Sequence, residues 1–82
     1  MNVTVGTKEL LEFLAKALVD HPEYVQVNQV DGEKSVILEL KVATEDMGKI
    51  IGKQGHIAQA IRTIMKAAAM KDGKKVLVEI IQ

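Results

Sequence analysis

The chain has 82 residues, 48% of them hydrophobic and 27% charged, and its formal net charge is zero. This length supports one globular domain with a single hydrophobic core, so we predict one domain over residues 1–82. The absence of cysteine excludes disulfides and thiolate metal sites, and the lack of a leader-like or membrane-spanning apolar run favours a cytoplasmic protein without a membrane segment.

The first predicted element is a helix that begins at Thr7, as its N-cap, and ends near Val19. Apolar residues at three- and four-residue steps predict the face that packs on the core. These residues are Leu10, Phe13, Leu14, Ala17 and Leu18. Pro22 ends the helix, because proline lacks an N–H group and disfavours helical geometry in the residue before it.

Alternation of apolar and polar residues predicts three strands. The first covers residues 24–30, where Val30 breaks the alternation and indicates a bulge or a strand end near Asn28-Gln29. Asp31-Gly32 then predicts a hairpin, because glycine accepts the positive φ that a tight turn needs. The return strand over residues 35–42 and a final strand over residues 75–81 each place alternate aliphatic residues on one face.

Two helices are predicted between the second and third strands. Thr44 caps a short helix that ends at Gly52, and a longer helix follows Gly55 and is closed by Asp72-Gly73. The apolar stripe of the longer helix consists of Ile57, Ile61, Ile64, Met65 and Ala68. The order helix, strand, strand, helix, helix, strand predicts an α+β domain in which three helices cover one face of a three-stranded sheet.

The two helices meet at a short basic turn, Gly52-Lys53-Gln54-Gly55. This turn lies at the N-terminus of the longer helix, where unpaired N–H groups and the helix dipole attract anions. Residues 1–46 carry four lysines and nine acidic residues, whereas residues 47–82 carry seven basic and two acidic residues. The turn therefore lies in the basic half of the chain, which indicates a site for a phosphate-containing ligand.

Other phosphate-binding patterns fit this turn poorly. The P-loop pattern fails because Gly48 and Gly52 are separated by three residues rather than four, and the dinucleotide fingerprint lacks a glycine two positions before Gly52. A helix-turn-helix binder of duplex DNA is an alternative, although the three strands and the basic turn argue against it. The two histidines and the single serine form no catalytic or metal-binding pattern, so we predict no enzyme, metal or cofactor.

The run Ile50-Ile51-Gly52-Lys53-Gln54-Gly55, set between two helices, resembles the I-G-x-x-G signature of the KH domain. The element order resembles the type II arrangement of that domain, and the resemblance covers nearly the whole chain, including the run IRTIMKAAA. In this combination the chain is similar to small bacterial proteins that consist of one KH domain. The resemblance implies binding of single-stranded RNA, with the GxxG loop at residues 52–55 clamping about four nucleotides.

The resemblance also implies which residues contact RNA: Lys49, Ile51, Gly52, Lys53, Gln54, Gly55, His56, Ile57, Ala58 and Arg62. We expect the wall of the groove from the strand over residues 36–42. We expect its floor from apolar residues on both sides of the loop: Met47, Ile50, Ile51, Ile57, Ala58 and Ile61. Ala58 stands where many KH domains have a larger aliphatic residue. Phe13 and Tyr24 are the only aromatic residues, so base stacking is expected to be minor and sequence preference loose.

The resemblance further implies a post-transcriptional regulator or RNA chaperone that acts as a dimer, with itself or with a larger KH-domain protein. The longer helix is a candidate contact surface, because its small residues Ala60, Ala67, Ala68 and Ala69 allow close approach. One alternative stays open. The chain could be a protein-interaction module that pairs with another KH protein and contacts RNA only within that complex.

Overall fold

A computed structural model describes residues 6–71 and 73–81 of the chain. Its elements follow the predicted order of helix, strand, strand, helix, helix, strand. They are α1 (Thr7–Leu18), β1 (Gln26–Asp31), β2 (Ser35–Lys41), α2 (Met47–Ile51), α3 (His56–Met70) and β3 (Lys75–Ile81). Short 3-10 turns at Pro22–Tyr24, Thr44–Asp46 and Lys53–Gly55 connect them. The α+β class and the type II order are therefore confirmed.

The three strands form one mixed sheet in which β2 is the central strand. β1 pairs antiparallel with β2 from Gln26 opposite Lys41 to Asp31 opposite Val36, without a skipped residue. β3 pairs with the other edge of β2 in parallel. The continuous register shows that the bulge predicted near Asn28-Gln29 is wrong. Val30 breaks the alternation because it lies on the outer face of the sheet, opposite Ile37.

The hairpin between β1 and β2 closes through a hydrogen bond from the Gly32 N–H group to the Ser35 carbonyl oxygen, at 2.7 Å. The hairpin is therefore confirmed, but its predicted reason is wrong, because Gly32 is not among the glycines with positive φ. β1 also begins two residues later than predicted. Tyr24 belongs instead to the 3-10 turn that starts at Pro22, whose carbonyl accepts the Val25 N–H group.

The core lies between the helices and the inner face of the sheet. Its centre contains large aliphatic side chains from every layer, and those fully buried are Leu11, Leu38, Leu40, Ile50 and Met65. The inward alternation predicted for β2 is confirmed, since Val36, Leu38, Leu40 and Val42 are all buried. At 25 cal/mol per Å² of apolar area, each such aliphatic side chain contributes about 1.5–3 kcal/mol to folding.

Helix α1 faces the core with a partly different set of residues than predicted. Leu10 and Leu14 pack against the core as expected, but they lie at the edge of the buried face. Leu11 and Ala15 are buried, whereas Phe13 is 69% exposed and Ala17 and Leu18 also reach solvent. The sequence LLEFLAKAL supports two overlapping stripes one residue, or about 100°, apart, and three-dimensional packing selects the one through Leu11. Thr7 is not the cap either, since Gly6 holds the N-cap position without a side-chain hydrogen bond.

Helix α3 buries Ala58, Ile61, Met65 and Ala69. Ile64, predicted on the inner stripe, is 45% exposed and lies on one flank. The helix ends in two hydrogen bonds, from the Gly73 N–H group to the Met70 carbonyl and from the Lys74 N–H group to the Ala69 carbonyl, with Gly73 at a φ of 68°. This is the glycine-terminated helix end that the sequence indicates, although Asp72 itself lies outside the described residues.

The residues predicted to start α2, Thr44–Asp46, form a short 3-10 turn instead. Thr44 lies inside the turn Thr44–Asp46 and caps nothing with its side chain, so the predicted Thr44 cap is wrong. Gly52 ends α2 as predicted. Over residues 6–71 and 73–81, no helix is long and apolar enough to cross a membrane.

Candidate nucleic-acid interface

The turn between α2 and α3 has an unusual backbone. Gly52 adopts φ 75° and ψ 175°, Gln54 adopts φ 56° and ψ 25°, and Gly55 adopts φ 76° and ψ 12°. Three of the four residues therefore have positive φ, a backbone conformation that residues other than glycine rarely adopt. Internal hydrogen bonds hold the turn, from Gly52 N–H to the Gly48 carbonyl at 2.8 Å and from Gly55 N–H to the Gly52 carbonyl at 3.1 Å.

The two glycines are required for different reasons. A Cβ atom on Gly52 would lie 2.5 Å from Cγ1 of Ile57, so Gly52 packs directly on that side chain. A Cβ atom on Gly55 would meet nothing within 4 Å, and only its positive φ favours glycine there. The contact between Gly52 and Ile57 fixes the turn against the first residues of α3. The side chains of Lys53 and Gln54 extend from this fixed turn into solvent.

The structure brings the residues at the turn together as a compact exposed group. Lys53, Gln54 and His56 are exposed, Ile51 is 36% exposed at the end of α2, and Ile57 is half-buried beneath Gly52. Ala58, Ile50 and Ile61, which the sequence suggested for the groove floor, are instead buried in the core. The exposed apolar surface beside the turn is therefore smaller than expected.

Two further residues of the predicted site point away from the turn. Lys49 Nζ lies 2.9 Å from Oδ2 of Asp20 and 3.6 Å from Oδ1 of Asp46, at the end of α1. The hydrogen bond that Lys49 donates to the Asp20 carboxylate and the charges of both carboxylates raise the pKa of Lys49. Arg62 donates from Nε to the Val78 carbonyl at 3.4 Å and so faces β3.

Asp46 is a residue whose role the sequence did not reveal. Its side chain is fully buried and accepts hydrogen bonds from the backbone N–H groups of Asp20, at 3.2 Å, and His21, at 3.0 Å. Burial alone would raise the pKa of this carboxyl, but these N–H groups and the nearby charges of His21 and Lys49 outweigh it and lower the pKa. The sequence offered only a first-turn acidic residue, because the partners are distant in the chain.

A groove runs beside the second half of α3, along the open edge of β3. It consists of two adjoining depressions of about 310 and 520 Å³. Their linings share Lys66, Val76 and Leu77. Arg62, Val78 and one acidic residue, Glu79, line one end, and Met70, Lys74 and Lys75 line the other. The expected wall was the strand over residues 36–42, but β2 is central and its inward side chains are buried. The open strand edge beside α3 belongs to β3.

The element order, the mixed sheet with β2 at its centre and the positive-φ turn between α2 and α3 define a type II KH domain. The family model of the KhpA/KhpB KH domain matches residues 8–80. The chain therefore belongs to this family.

Proteins of similar sequence carry the same family name. The chain is 70% identical over 74 residues to the RNA-binding protein KhpA of Clostridium perfringens, covering 90% of this chain and 99% of that one. It is 69% identical to KhpA of Clostridium acetobutylicum, with the same coverage. To KhpA of Aquifex aeolicus it is 48% identical over 75 residues, covering 92% of this chain and 95% of that one.

Two solved structures of Era share the fold. Era from Aquifex aeolicus matches with a TM-score of 0.68 at 17% identity, over 98% of this chain and 31% of that chain. A structure of Era in complex with a fragment of 16S ribosomal RNA matches with a TM-score of 0.64 at 18% identity, over 98% of this chain and 30% of that chain. At this identity the likeness concerns the fold alone.

Proposed function

We propose that this chain binds single-stranded RNA and holds its sugar-phosphate backbone at the GKQG loop (residues 52–55). The observation that carries the proposal is the loop itself, a basic positive-φ turn placed at the start of a 15-residue helix. The relatives that share up to 70% identity are named RNA-binding proteins, which supports the same ligand. The proposal describes a binding protein rather than an enzyme, acting in the cytoplasm as a post-transcriptional regulator or RNA chaperone.

The chemistry of the clamp follows from the loop. Because Gly55 has no side chain and nothing lies within 4 Å of where its Cβ atom would be, a phosphate can approach the backbone closely there, as at other glycine-rich turns before helices. The positive end of the α3 dipole adds attraction, worth typically 0.3–1 kcal/mol for a charged group at such a terminus. Lys53 supplies a full charge and Gln54 an amide, and both side chains reach solvent beside the loop. These contacts position the strand without reading its sequence.

The groove along α3 is the path we propose for nucleotides that leave the clamp. Its rim carries Arg62, Lys66, Lys74 and Lys75, which provide positive charge for the backbone, and its floor is apolar at Val76 and Leu77. The open edge of β3 presents backbone N–H and C=O groups to base edges. Because Phe13 lies on α1 and Tyr24 beside β1, neither ring is part of this groove. Base stacking is therefore minor and affinity per domain modest.

The test replaces the polar side chains of the clamp with acids. In the double variant Lys53→Asp, Gln54→Asp, we expect affinity for a short single-stranded RNA to fall at least about 10-fold, because charge and hydrogen bonds to phosphate are both lost. The measurement is fluorescence anisotropy, with circular dichroism to show that the fold persists. The matched control is Lys34→Asp, Gln29→Asp, which makes the same chemical changes at the exposed β1–β2 hairpin. Equal binding by the loop variant and wild type would refute the clamp.

A second candidate function is pairing with another KH domain, and one surface favours it. On α3, Arg62 and Lys66 face β3, so Ile64, two residues from each, lies on the opposite flank. On α1, Lys8 and Glu12 border β1, which turns the opposite flank of that helix toward α3. Both flanks are apolar, and their residues are exposed except Leu10 and Leu14, which are half-buried against the core. We name them the α1–α3 outer surface, formed by Leu10, Phe13, Leu14, Ala17, Ala60, Ile64 and Ala67.

Within this surface Phe13 and Ile64 are large and exposed, and Ala60 and Ala67 allow a second helix to approach closely. Of the four alanines the sequence suggested for a contact, these two are exposed, while Ala69 is buried. Contiguous apolar patches of this kind mark protein interfaces. We propose that a second KH domain, from another copy of this chain or from a larger protein, docks here and raises RNA affinity by bringing two grooves together.

A further inference from the structure

Asp46 makes contacts that connect two distant parts of the chain. Buried aspartates are rare unless they are paired, and the Asp46 side chain is 0% exposed. Its two carboxylate oxygens accept the N–H groups of Asp20 and His21, which follow α1 in the chain and lie 26 and 25 residues before it. A carboxylate that accepts two backbone N–H groups holds the segment that carries them in one orientation.

Lys49, which lies in α2 three residues after Asp46, adds contacts to the same segment. Its Nζ atom lies 2.9 Å from Asp20 and 3.6 Å from Asp46, so two side chains of the Asp46–Ile51 region contact the segment after α1. Each charge in the group has an opposite charge or N–H donors beside it. We call Asp20, Asp46 and Lys49, with the backbone of His21, the α1–α2 network.

Helix α2 depends on contacts of this kind. It has five residues, and helices shorter than about 12 residues are marginal without tertiary support. Ile50 anchors one side of it in the core, and the α1–α2 network anchors the other. Gly52 follows directly after Ile51, and its N–H group bonds to Gly48 within α2. The position of the GKQG loop therefore depends on where α2 is held, as well as on the contact of Gly52 with Ile57 of α3.

We propose that Asp46 is a positioning residue of the RNA clamp, and that Lys49 acts with it in the α1–α2 network rather than on phosphate. Lys49 could reach RNA only by giving up a 2.9 Å ion pair with Asp20. Lys53, by contrast, extends into solvent from the loop itself. This inference rests on the proposed function, since it assigns roles at the same clamp.

The test compares three single variants whose predicted roles differ. Asp46→Asn keeps the size of the side chain and removes its charge. Lys49→Met and Lys53→Met each remove a positive charge and keep an unbranched apolar side chain of similar length. Asp31→Asn, at the exposed end of β1, is the control for loss of a carboxylate. Binding of a short single-stranded RNA is measured by anisotropy across a range of salt concentrations. Amide hydrogen exchange is measured at Gly52 and, as a core reference, at Met65.

The variants Lys49→Met and Lys53→Met are expected to differ in the salt dependence of RNA binding. Loss of one phosphate contact to a single strand lowers the slope of log K against log salt by about 0.7. Lys53→Met should show this reduction, and Lys49→Met should bind RNA about 3- to 10-fold more weakly with the slope unchanged, as expected for a residue that acts through another. An equal loss of slope in both variants would show that Lys49 contacts phosphate and would overturn the assignment.

Asp46→Asn is expected to weaken RNA binding by about 3- to 10-fold and to speed exchange at Gly52 while Met65 stays protected. Asp31→Asn should match wild type in both measurements. Wild-type affinity and Gly52 protection in Asp46→Asn would overturn the positioning role. If this variant does not fold, Lys49→Met decides, because it removes an exposed member of the network and is expected to speed exchange at Gly52 in the same way.

The experiment also separates this inference from the proposed function. If the loop double variant binds RNA as well as wild type does, the clamp itself is wrong. If the loop variant loses binding while Asp46→Asn and Lys49→Met behave like wild type, the clamp stands and only the positioning role fails.

Discussion

Gly52 and Gly55 have nearly the same φ, but their backbones differ in ψ and in surroundings. At ψ 175°, Gly52 occupies a region that is essentially restricted to glycine, and Ile57 fills the space where a Cβ atom would lie. At ψ 12°, Gly55 is close to left-handed helical geometry, which other residues enter at a cost of about 1–2 kcal/mol. The first glycine therefore contributes to packing as well as to conformation.

This difference predicts unequal effects of alanine. Gly52→Ala should lower the free energy of unfolding by about 3 kcal/mol or more, because backbone strain of about 1–3 kcal/mol adds to a clash with Ile57. Gly55→Ala should cost about 1–2 kcal/mol, because only its φ is unfavourable. Urea denaturation followed by circular dichroism measures both. A larger loss in Gly55→Ala than in Gly52→Ala would contradict the described packing of the turn.

For single residues, the sequence was informative where the role of a residue depends on its near neighbours in the chain. The glycines that end α2 and begin α3 could be predicted, because a positive φ and a helix start leave a signature of a few residues. The role of Asp46 could not, since its partners, Asp20 and His21, are brought to it only by the packing of α1 against α2. Lys49 was predicted to contact RNA because it lies next to the loop in the chain. Its ion pair with Asp20 could not be predicted, because it too depends on the packing of α1 against α2.

Helix α1 illustrates the same limit for a whole element. Its bounds were predicted to within a residue, because Pro22 and the apolar periodicity mark them clearly. Its buried face was predicted only in part. Leu10 and Leu14 pack against the core, but LLEFLAKAL contains two apolar stripes and periodicity alone does not choose between them. The sheet and α3 decide in favour of Leu11 and Ala15, and leave Phe13 outside.

The orientation of α1 predicts a sharp contrast between neighbouring residues. Leu11→Ala should destabilise the domain by about 2–5 kcal/mol, because it opens a cavity in the core. Phe13→Ala should change stability by no more than about 0.5 kcal/mol in the monomer, because the ring is mostly exposed. Both are measured by thermal and urea denaturation at low protein concentration. A larger cost for Phe13→Ala would mean that the helix faces the core as the sequence first suggested.

For the whole molecule, the element order and the β1–β2 hairpin were predicted, but the pairing of β3 was not. The hairpin signal at Asp31-Gly32 joins β1 to β2, whereas nothing in the chain indicates that β3 pairs in parallel with β2 rather than with β1. That pairing is what buries β2 in the centre and opens the edge of β3 beside α3. The strand predicted as the groove wall, β2, therefore has no open edge, and its inward side chains are buried.

The α1–α3 outer surface gives a prediction about assembly. Ile64→Asp should abolish pairing with a second KH domain, because it places a charge in an apolar contact. The measurement is light scattering coupled to size-exclusion chromatography, on the chain alone and with a candidate KH partner. Val30→Asp is the control, since Val30 is 46% exposed, nearly the same as Ile64, but lies on the outer face of the sheet. Unchanged assembly in Ile64→Asp would place the interface elsewhere.

The parallel pairing of β2 and β3 has a consequence for how the domain acquires function. Ser35 pairs with Lys75, so the contact that completes the sheet joins residues 40 positions apart, and the GKQG loop lies within that span. Contacts of long sequence separation form late, because the intervening chain must first lose its conformational freedom. The β1–β2 hairpin can form early and locally, but α2 and α3 have no complete sheet to pack on until β3 docks. RNA binding should therefore appear only with the last step of folding. The affinity for RNA then indicates whether β3 has paired with β2 and completed the sheet.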